Sequence, residues 1–160
     1  RDLVLPVTQP DGMPKALTFW VALTEANPDN SCMYVLPKCF DKNFNHDLNK
    51  VDVDVEHVRA VPAKAGDILF WNPNIIHWGS HSSDYATNDR VSFAFYLQKK
   101  EGAPIYQPTI ELKQPLSFNH RLGLIGLQMV KYNYRFNFTE PVLELAKKWA
   151  VDTMMRHSEA

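Results

Sequence analysis

A mainly β sandwich or barrel followed by a helical C-terminal part is the fold class this sequence predicts, on three observations. From residue 1 to about 110, short runs of β-branched and aromatic residues alternate with Pro, Gly, Asn and Asp. From about 115 onward the apolar residues recur at helical spacing. The length of 160 residues, at 45% hydrophobic and 22% charged, suffices to bury one core without metal or disulfide staples. The expectation is one domain over 1–160, with a β core of about 1–112 and a helical part of about 115–160.

Leu17 to Leu23 alternates and is rich in β-formers, so it reads as a strand. Glu25 to Asn30 holds Asn-Pro-Asp-Asn, which presets a turn through the proline ring and side-chain-to-backbone bonds. Cys32 to Leu36 is the next strand, closed by Pro37. The polar stretch from Lys38 to Lys50 reads as a surface excursion, and Val51 to Val55, alternating with aspartate, as an edge strand with one wet face. Ala65-Gly66-Asp67 turns the chain into a strand from Ile68 to Trp71, and Asn72-Pro73-Asn74 turns it again into Ile75 to Trp78. The longest strand is expected from Arg90 to Gln98, with Val91, Phe93, Phe95 and Leu97 on one face and Arg90, Ser92, Ala94 and Tyr96 on the other.

Beyond residue 115, Phe118, Leu122, Ile125, Met129, Tyr132 and Phe136 form one helical stripe, with Ser117 placed to cap its start. Gly123 and Gly126 cost roughly 1 kcal/mol each relative to alanine, so they predict a close helix–sheet contact. A last helix opens at Thr139-Glu140-Pro141 and carries Val142, Leu145, Ala146 and Trp149 along one side. Both helices are expected to buttress one sheet rather than to form a cofactor site.

Charge narrows the function classes. Lys and Arg number 17 against 18 Asp and Glu, a formal net charge of −1, and no basic run tracks a phosphate backbone. No nucleic-acid partner is expected. No apolar stretch is long enough to span a bilayer, and no signal-peptide pattern opens the chain, so no membrane partner and a cytoplasmic location are expected. Cys32 and Cys39 match neither a redox nor a zinc-ribbon spacing and read as reduced thiols. The first residue is Arg1 rather than methionine, which points to processing or to a longer parent protein. Oligomeric state is not legible.

The most informative segment is Ile75-Ile76-His77-Trp78-Gly79-Ser80, followed by Arg90-Val91-Ser92. It is expected to put a histidine, a sharp turn and a buried arginine on neighbouring strands, 13 residues apart. An arginine on an inward strand face demands an anionic partner, because an unpaired buried charge is very costly. A metal-ligating histidine beside a carboxylate-gripping guanidinium is what a non-haem iron enzyme needs to hold a keto-acid cosubstrate: the arginine binds the carboxylate as a two-pronged fork and a nearby hydroxyl completes the grip. Arg90 with Ser92 meets that need. The competing readings are a histidine bonded to a carbonyl for His77, and a salt bridge to Asp67 or Asp89 for Arg90. His81 reads as a solvated loop histidine. His46, His57, His120 and His157 have no partner pattern, and His157-Ser158-Glu159 sits at a helix tail. Trp20, Trp71 and Trp78 read as core residues, any of which a pocket near iron could also use.

Thr18 to Leu23, Asn30 to Pro37, Gly66-Asp67-Ile68-Leu69-Phe70, His77-Trp78-Gly79-Ser80 and Arg90-Val91-Ser92, in this order, resemble the phytanoyl-CoA dioxygenase-like family. Asp11-Gly12-Met13-Pro14 is similar to its ectoine-hydroxylase-like branch. The resemblance covers roughly residues 1–100. It implies a double-stranded β-helix (jelly-roll, cupin-like), Fe(II) as metal, 2-oxoglutarate as cosubstrate and a small-molecule substrate. It also implies that Asp2 and His77 are metal ligands, Arg90 with Ser92 the 2-oxoglutarate anchor, and Trp20 a wall of the cosubstrate pocket. The family's His-x-Asp motif puts its histidine directly before Arg1, so N-terminal family elements are expected to be missing from these 160 residues. The implied activity is hydroxylation of an aliphatic C–H, with 2-oxoglutarate decarboxylated to succinate. The rival readings are a non-catalytic jelly-roll binding module with an incomplete metal triad, and a cupin-like isomerase or hydrolase, which would need more histidines on adjacent strands.

Overall fold

The computed structural model describes residues 1–44, 46–101, 103–105 and 115–157, with the backbone alone from 152 onward. The chain divides into two compact units, Arg1–Gln107 and Pro108–Ala160. The stretch 106–114, where the sequence changes regime, and the Ser158-Glu159 part of the C-terminal motif lie outside the described residues.

The first unit holds two small antiparallel sheets. In one, β1 (Ala16–Ala22) lies between β4 (Ile68–Trp71) and β6 (Ser92–Gln98). In the other, β2 (Met33–Leu36) lies between β3 (Arg59–Val61) and β5 (Ile76–Gly79). The alternation read in the sequence is kept in β1: Ala16, Thr18, Trp20 and Ala22 are buried, and the residues between them are half-buried. Trp20, Ala22, Ala26, Cys32, Met33 and Ala63 form the core, with Tyr34, Val61, Leu69 and Trp71 packed against it, so both sheets contribute to one interior.

The other face of the first sheet is apolar and open. Phe19 stacks between Phe70 and Phe95 at centroid distances of 5.7 and 5.3 Å, and Phe70 and Phe93 are largely exposed.

Several expectations are corrected. Val51–Val55 is not a strand: Val51 and Val55 are exposed, and the Asp54 side chain accepts from the Glu56 amide to cap a 3-10 turn over Val55–His57. An alternating pattern with no neighbouring strand to pair with is satisfied locally instead. The short strand Arg59–Val61 was not legible. The excursion after Pro37 is anchored rather than merely superficial, since Asp41, Phe44 and Leu48 are buried. The last strand begins at Ser92, so Arg90 precedes it. β5 and β6 belong to different sheets, and the His77 and Arg90 segments are therefore not sheet neighbours.

The second unit is a pair of helices, α1 (Phe118–Phe136) and α2 (Glu140–His157). Ser117 caps α1 by accepting from the His120 amide, and Asn137 ends it in the left-handed region at φ 46°. The stripe predicted from large residues is covered only in part: Leu122, Met129 and Tyr132 are half-buried and Ala146 is buried, but Phe118, Ile125 and Phe136 are exposed, as are Val142 and Leu145 of α2. The contact runs through small residues. A Cβ on Gly126 would collide with the Ala146 carbonyl, with the Ala150 amide and Trp149 Cβ at 3.1 Å. Gly126 therefore serves a helix–helix approach, not the helix–sheet contact expected of it. No helix among the described residues is long and apolar enough to cross a membrane.

Candidate functional site

Asp2 is fixed before its carboxylate makes any contact. Its amide and that of Leu3 both donate to the Pro73 carbonyl, at 2.9 and 3.2 Å, which ties the N-terminal segment to the turn ahead of β5. Thr18 of β1 and Trp71 of β4 are register partners, and both donate to the same carboxylate oxygen: Thr18 Oγ1 to Asp2 Oδ2 at 2.7 Å, Trp71 Nε1 at 3.3 Å. The second oxygen, Oδ1, stands 3.1 Å from His77 Nε2. Burial pushes the Asp2 pKa up, but the hydrogen bonds from His77 and Thr18, the charge of His77 and the Trp71 N–H outweigh it and hold the carboxyl below its ordinary value.

The other histidine nitrogen decides what this contact means. His77 Nδ1 lies 2.9 Å from the Ile75 carbonyl, which can only accept, so Nδ1 carries a proton and Nε2 is the ring atom turned to Asp2. Nε2 and the carboxylate oxygen Oδ1 face each other, and a positive charge between them satisfies both. Either a second proton on the imidazole or a metal ion supplies it. Cis ligands of an octahedral divalent ion at bond lengths of about 2.1 Å lie about 3.0 Å apart, which matches the observed spacing. The carbonyl behind Nδ1 and the Thr18 and Trp71 donors behind Asp2 are the outer partners that orient metal ligands. Trp71 also packs on the His77 ring at 4.7 Å. Among the described residues no third His, Cys, Asp or Glu joins the pair.

Arg90 reaches the same interior from the other sheet. Gly79 is two residues beyond His77 on β5 and so on the same strand face, about 7 Å along it. A Cβ on Gly79 would come to 3.3 Å from Arg90 Nη2 and 3.1 Å from Ser31 Oγ, so glycine leaves the space that the guanidinium occupies. The half-buried Arg90 lies 5.9 Å from the Trp20 ring, with Nη1 4.0 Å from Met33 Sδ. Among the described residues it forms no ion pair. Asp67 instead accepts from the Lys64 amide, and Asp89 contributes its carbonyl to Thr24. Ser92 is in register with Ala22, on the sheet face that carries Trp20. His81 is exposed. Of the predicted site residues, Asp2 with His77 and Arg90 with Trp20 are thus brought together, while Ser92 makes no hydrogen bond to Arg90.

Sequence reasoning missed the support beneath Asp2. The side chain of Arg1, only 2% exposed, pairs with Asp41, itself 1% exposed, and donates through Nε to the Asn74 carbonyl at 3.0 Å and through Nη1 to the Lys50 carbonyl at 3.0 Å. One guanidinium thereby joins the excursion, its end and the turn before β5. Asn74, fully buried, adds donations to Leu3 and Leu5 carbonyls. A terminal arginine followed by aspartate carries no local signal of this, because every partner is at least 40 residues away.

The β unit and its site together define a histidine–carboxylate pair suited to a divalent metal and a half-buried guanidinium, without an ion pair among the described residues, suited to an anion. The phytanoyl-CoA dioxygenase (PhyH) family model matches residues 1–86, more than half of the chain, and the protein belongs to that family, whose members use Fe(II) and 2-oxoglutarate. Among solved structures, the chain is similar to SnoN, the non-heme alpha ketoglutarate dependent epimerase from nogalamycin biosynthesis, at 24% identity and a TM-score of 0.38, over 52% of this chain and 32% of that one. This chain thus spans about a third of SnoN's length. No curated protein matches it.

Proposed function

We propose that this protein is an Fe(II)- and 2-oxoglutarate-dependent dioxygenase that hydroxylates an aliphatic C–H of a small molecule, built on a double-stranded β-helix. The observation that carries the reading is the His77–Asp2 contact, in which an imidazole bonded through Nδ1 to a carbonyl sets Nε2 3.1 Å from a carboxylate oxygen. Family membership supports the choice of metal and cosubstrate. The orders β4-β1-β6 and β3-β2-β5 support the jelly-roll assignment, as the chain passes from sheet to sheet between β1 and β2, β3 and β4, β4 and β5, and β5 and β6. The unpaired thiols of Cys32 and Cys39 fit a reducing, cytoplasmic location.

Asp2 and His77 would be two of the protein ligands, and the histidine implied directly before Arg1 the third. Fe(II) with 2-oxoglutarate would supply the oxidation, coupling decarboxylation of the keto acid to succinate with transfer of one dioxygen atom into the substrate C–H. The chain's own residues supply position. Thr18 and Trp71 hold one carboxylate oxygen so that the other faces the metal, and the Ile75 carbonyl keeps the imidazole in the ligating tautomer. Arg90 would grip the distal carboxylate of 2-oxoglutarate, with the Ser92 hydroxyl assisting and Trp20 as a wall.

In the full-length protein, His77→Ala is expected to lower succinate formation by about 100-fold or more. Unchanged turnover would remove the dioxygenase reading. Arg90→Ala is expected to raise the 2-oxoglutarate requirement by roughly 10- to 100-fold, the value of a charge-assisted pair; an unchanged requirement would move the anchor elsewhere. The convergence of only two metal-binding side chains among the described residues favours the binding-module alternative. That alternative predicts 2-oxoglutarate binding that depends on Arg90, with no succinate formed at any iron concentration.

A further inference from the structure

We propose that Thr24 and Ser31 are positioning residues for Arg90, which fix where its guanidinium stands and so which length of keto diacid the site accepts. The guanidinium's own neighbours hold its direction weakly. It lies 4.0 Å from the Met33 sulfur and 5.9 Å from the Trp20 ring, a poor acceptor and an aromatic face. Its backbone gives no regular support either, since residues 80–91 form neither strand nor helix.

The order comes from a second connection. Residues 23–32 carry the chain from β1 to β2, and residues 80–91 carry it back from β5 to β6, so both cross between the sheets. The first crossing bonds to the second near both of its ends. At the start, the Ser31 hydroxyl donates to the Ser80 carbonyl, and further on the Ser83 amide donates to the Asp29 carbonyl at 2.7 Å. Towards the end, Asn30 Nδ2 donates to the Asn88 carbonyl at 3.2 Å. The Thr24 hydroxyl then holds the residues on both sides of Arg90: it donates to the Asp89 carbonyl at 2.7 Å and accepts from the Val91 amide at 2.8 Å.

The first crossing is itself stiff. Asn27 Oδ1 accepts from the Asp29 and Asn30 amides, and Asn30 Oδ1 accepts from the Asn27 amide. Ser31 is buried and held at φ 72°, a region that residues other than glycine reach at a steric cost. Such a conformation persists where its surroundings over-determine it. A Cβ on Gly79 would meet the Ser31 hydroxyl at 3.1 Å and Arg90 Nη2 at 3.3 Å, so the clamp and the guanidinium pack around one glycine. With the keto-acid end at the Asp2–His77 pair and the far carboxylate at Arg90, the spacing of these two fixed points sets the length of the cosubstrate.

This role rests on Arg90 being the 2-oxoglutarate anchor, and the test separates the two. Calorimetric titration of the full-length, Mn(II)-loaded protein with 2-oxoglutarate and with 2-oxoadipate, one methylene longer, gives the affinity of each. Thr24→Val should weaken 2-oxoglutarate about five- to tenfold, the worth of a lost hydrogen bond. It should also narrow the advantage of 2-oxoglutarate over 2-oxoadipate about threefold. Thr24→Ser, which keeps the hydroxyl, should restore both. Ser31→Ala and Ser31→Gly should weaken 2-oxoglutarate alike, although Ser31→Ala melts lower because only glycine adopts φ 72° freely. Affinities that follow melting temperature rather than the lost hydroxyl, a Thr24→Ser protein no better than Thr24→Val, or an unchanged diacid preference would each overturn the positioning role. If Arg90→Ala weakens 2-oxoglutarate and Thr24→Val does not, the positioning role alone falls. If Arg90→Ala binds 2-oxoglutarate unchanged, the anchor falls and the positioning role with it.

Discussion

The two units of this chain are held together by opposite means. In Arg1–Gln107 the decisive contacts are polar, buried and long-range: Arg1 on Asp41, Asn74 on Leu3 and Leu5, Asp2 on Thr18 and Trp71. In Pro108–Ala160 the decisive contact is the absence of a side chain, Gly126 letting α1 lie against the backbone of α2 at Ala146 and Ala150. Polar contacts of the first kind fix direction, because a hydrogen bond fails when its partner moves by a fraction of an ångström. Small-residue contacts fix only distance. A histidine and a carboxylate held 3.1 Å apart need the first kind of structure, and that is where they lie.

Substituting Asp41 by alanine should produce the largest effect, because Arg1 would remain buried without its acid. A loss of about 3–5 kcal/mol is expected in urea unfolding of the first unit. The pair Arg1→Met with Asp41→Leu should cost much less than Asp41→Ala alone, since the buried charge goes with its partner. If the double variant is the worse one, the polar hub is not what orders this unit. Next comes Gly126→Ala, whose Cβ has no room; about 1–3 kcal/mol should be lost from the thermal unfolding of the helices, read by circular dichroism. A smaller loss would mean that the helices separate at little cost, and a change in Mn(II) affinity would break the contrast between the units.

Gly79→Ala tests the site more gently. The added methyl presses on Arg90 and Ser31, and 2-oxoglutarate affinity should fall about tenfold, or 1.4 kcal/mol, with Mn(II) affinity kept. The smallest effect concerns pH. Asp2 has its pKa below the ordinary carboxylate value in the folded protein, so its stabilising contribution is fully present above that ordinary value. It is lost as pH falls through the lowered one. Without added metal, Asp2→Asn should flatten this acid limb of stability, and an unaltered limb would show that the carboxylate is not held as described.

Strands β1, β2, β4 and β5 were legible because apolar alternation and the Pro, Gly and Asn punctuation agreed there. Val51–Val55 misled because alternation describes only a face, and strands also require a partner, which Asp54 replaced with a local cap. β3 is three residues long, too short to display a period. The α1–α2 seam was legible in part: Gly126 signalled a close approach and Ala146 and Trp149 stood on the expected side of α2, but a helical glycine does not say what approaches it, and the partner is a helix rather than a sheet. At the site, Asp2, His77, Arg90 and Trp20 could be named from motif order. Thr18 and Trp71 could not, for nothing in either neighbourhood indicates a bond to a residue 16 or 69 positions away.

The reach of the Arg1 side chain to the Asn74 carbonyl has a consequence in time. The two residues are 73 positions apart. At a synthesis rate of about 5–20 residues per second, roughly 4–15 s pass between the ribosome's making the first and making the second. Throughout that interval Arg1 and Asp2 have no native partner beyond what has already emerged, and the pair with His77 cannot close. The Asp2–His77 contact therefore closes only after most of this unit has been made, and a stall in translation before residue 74 leaves Arg1 with Asp41 and Asp2 with Thr18 but without the turn and the histidine that complete their setting.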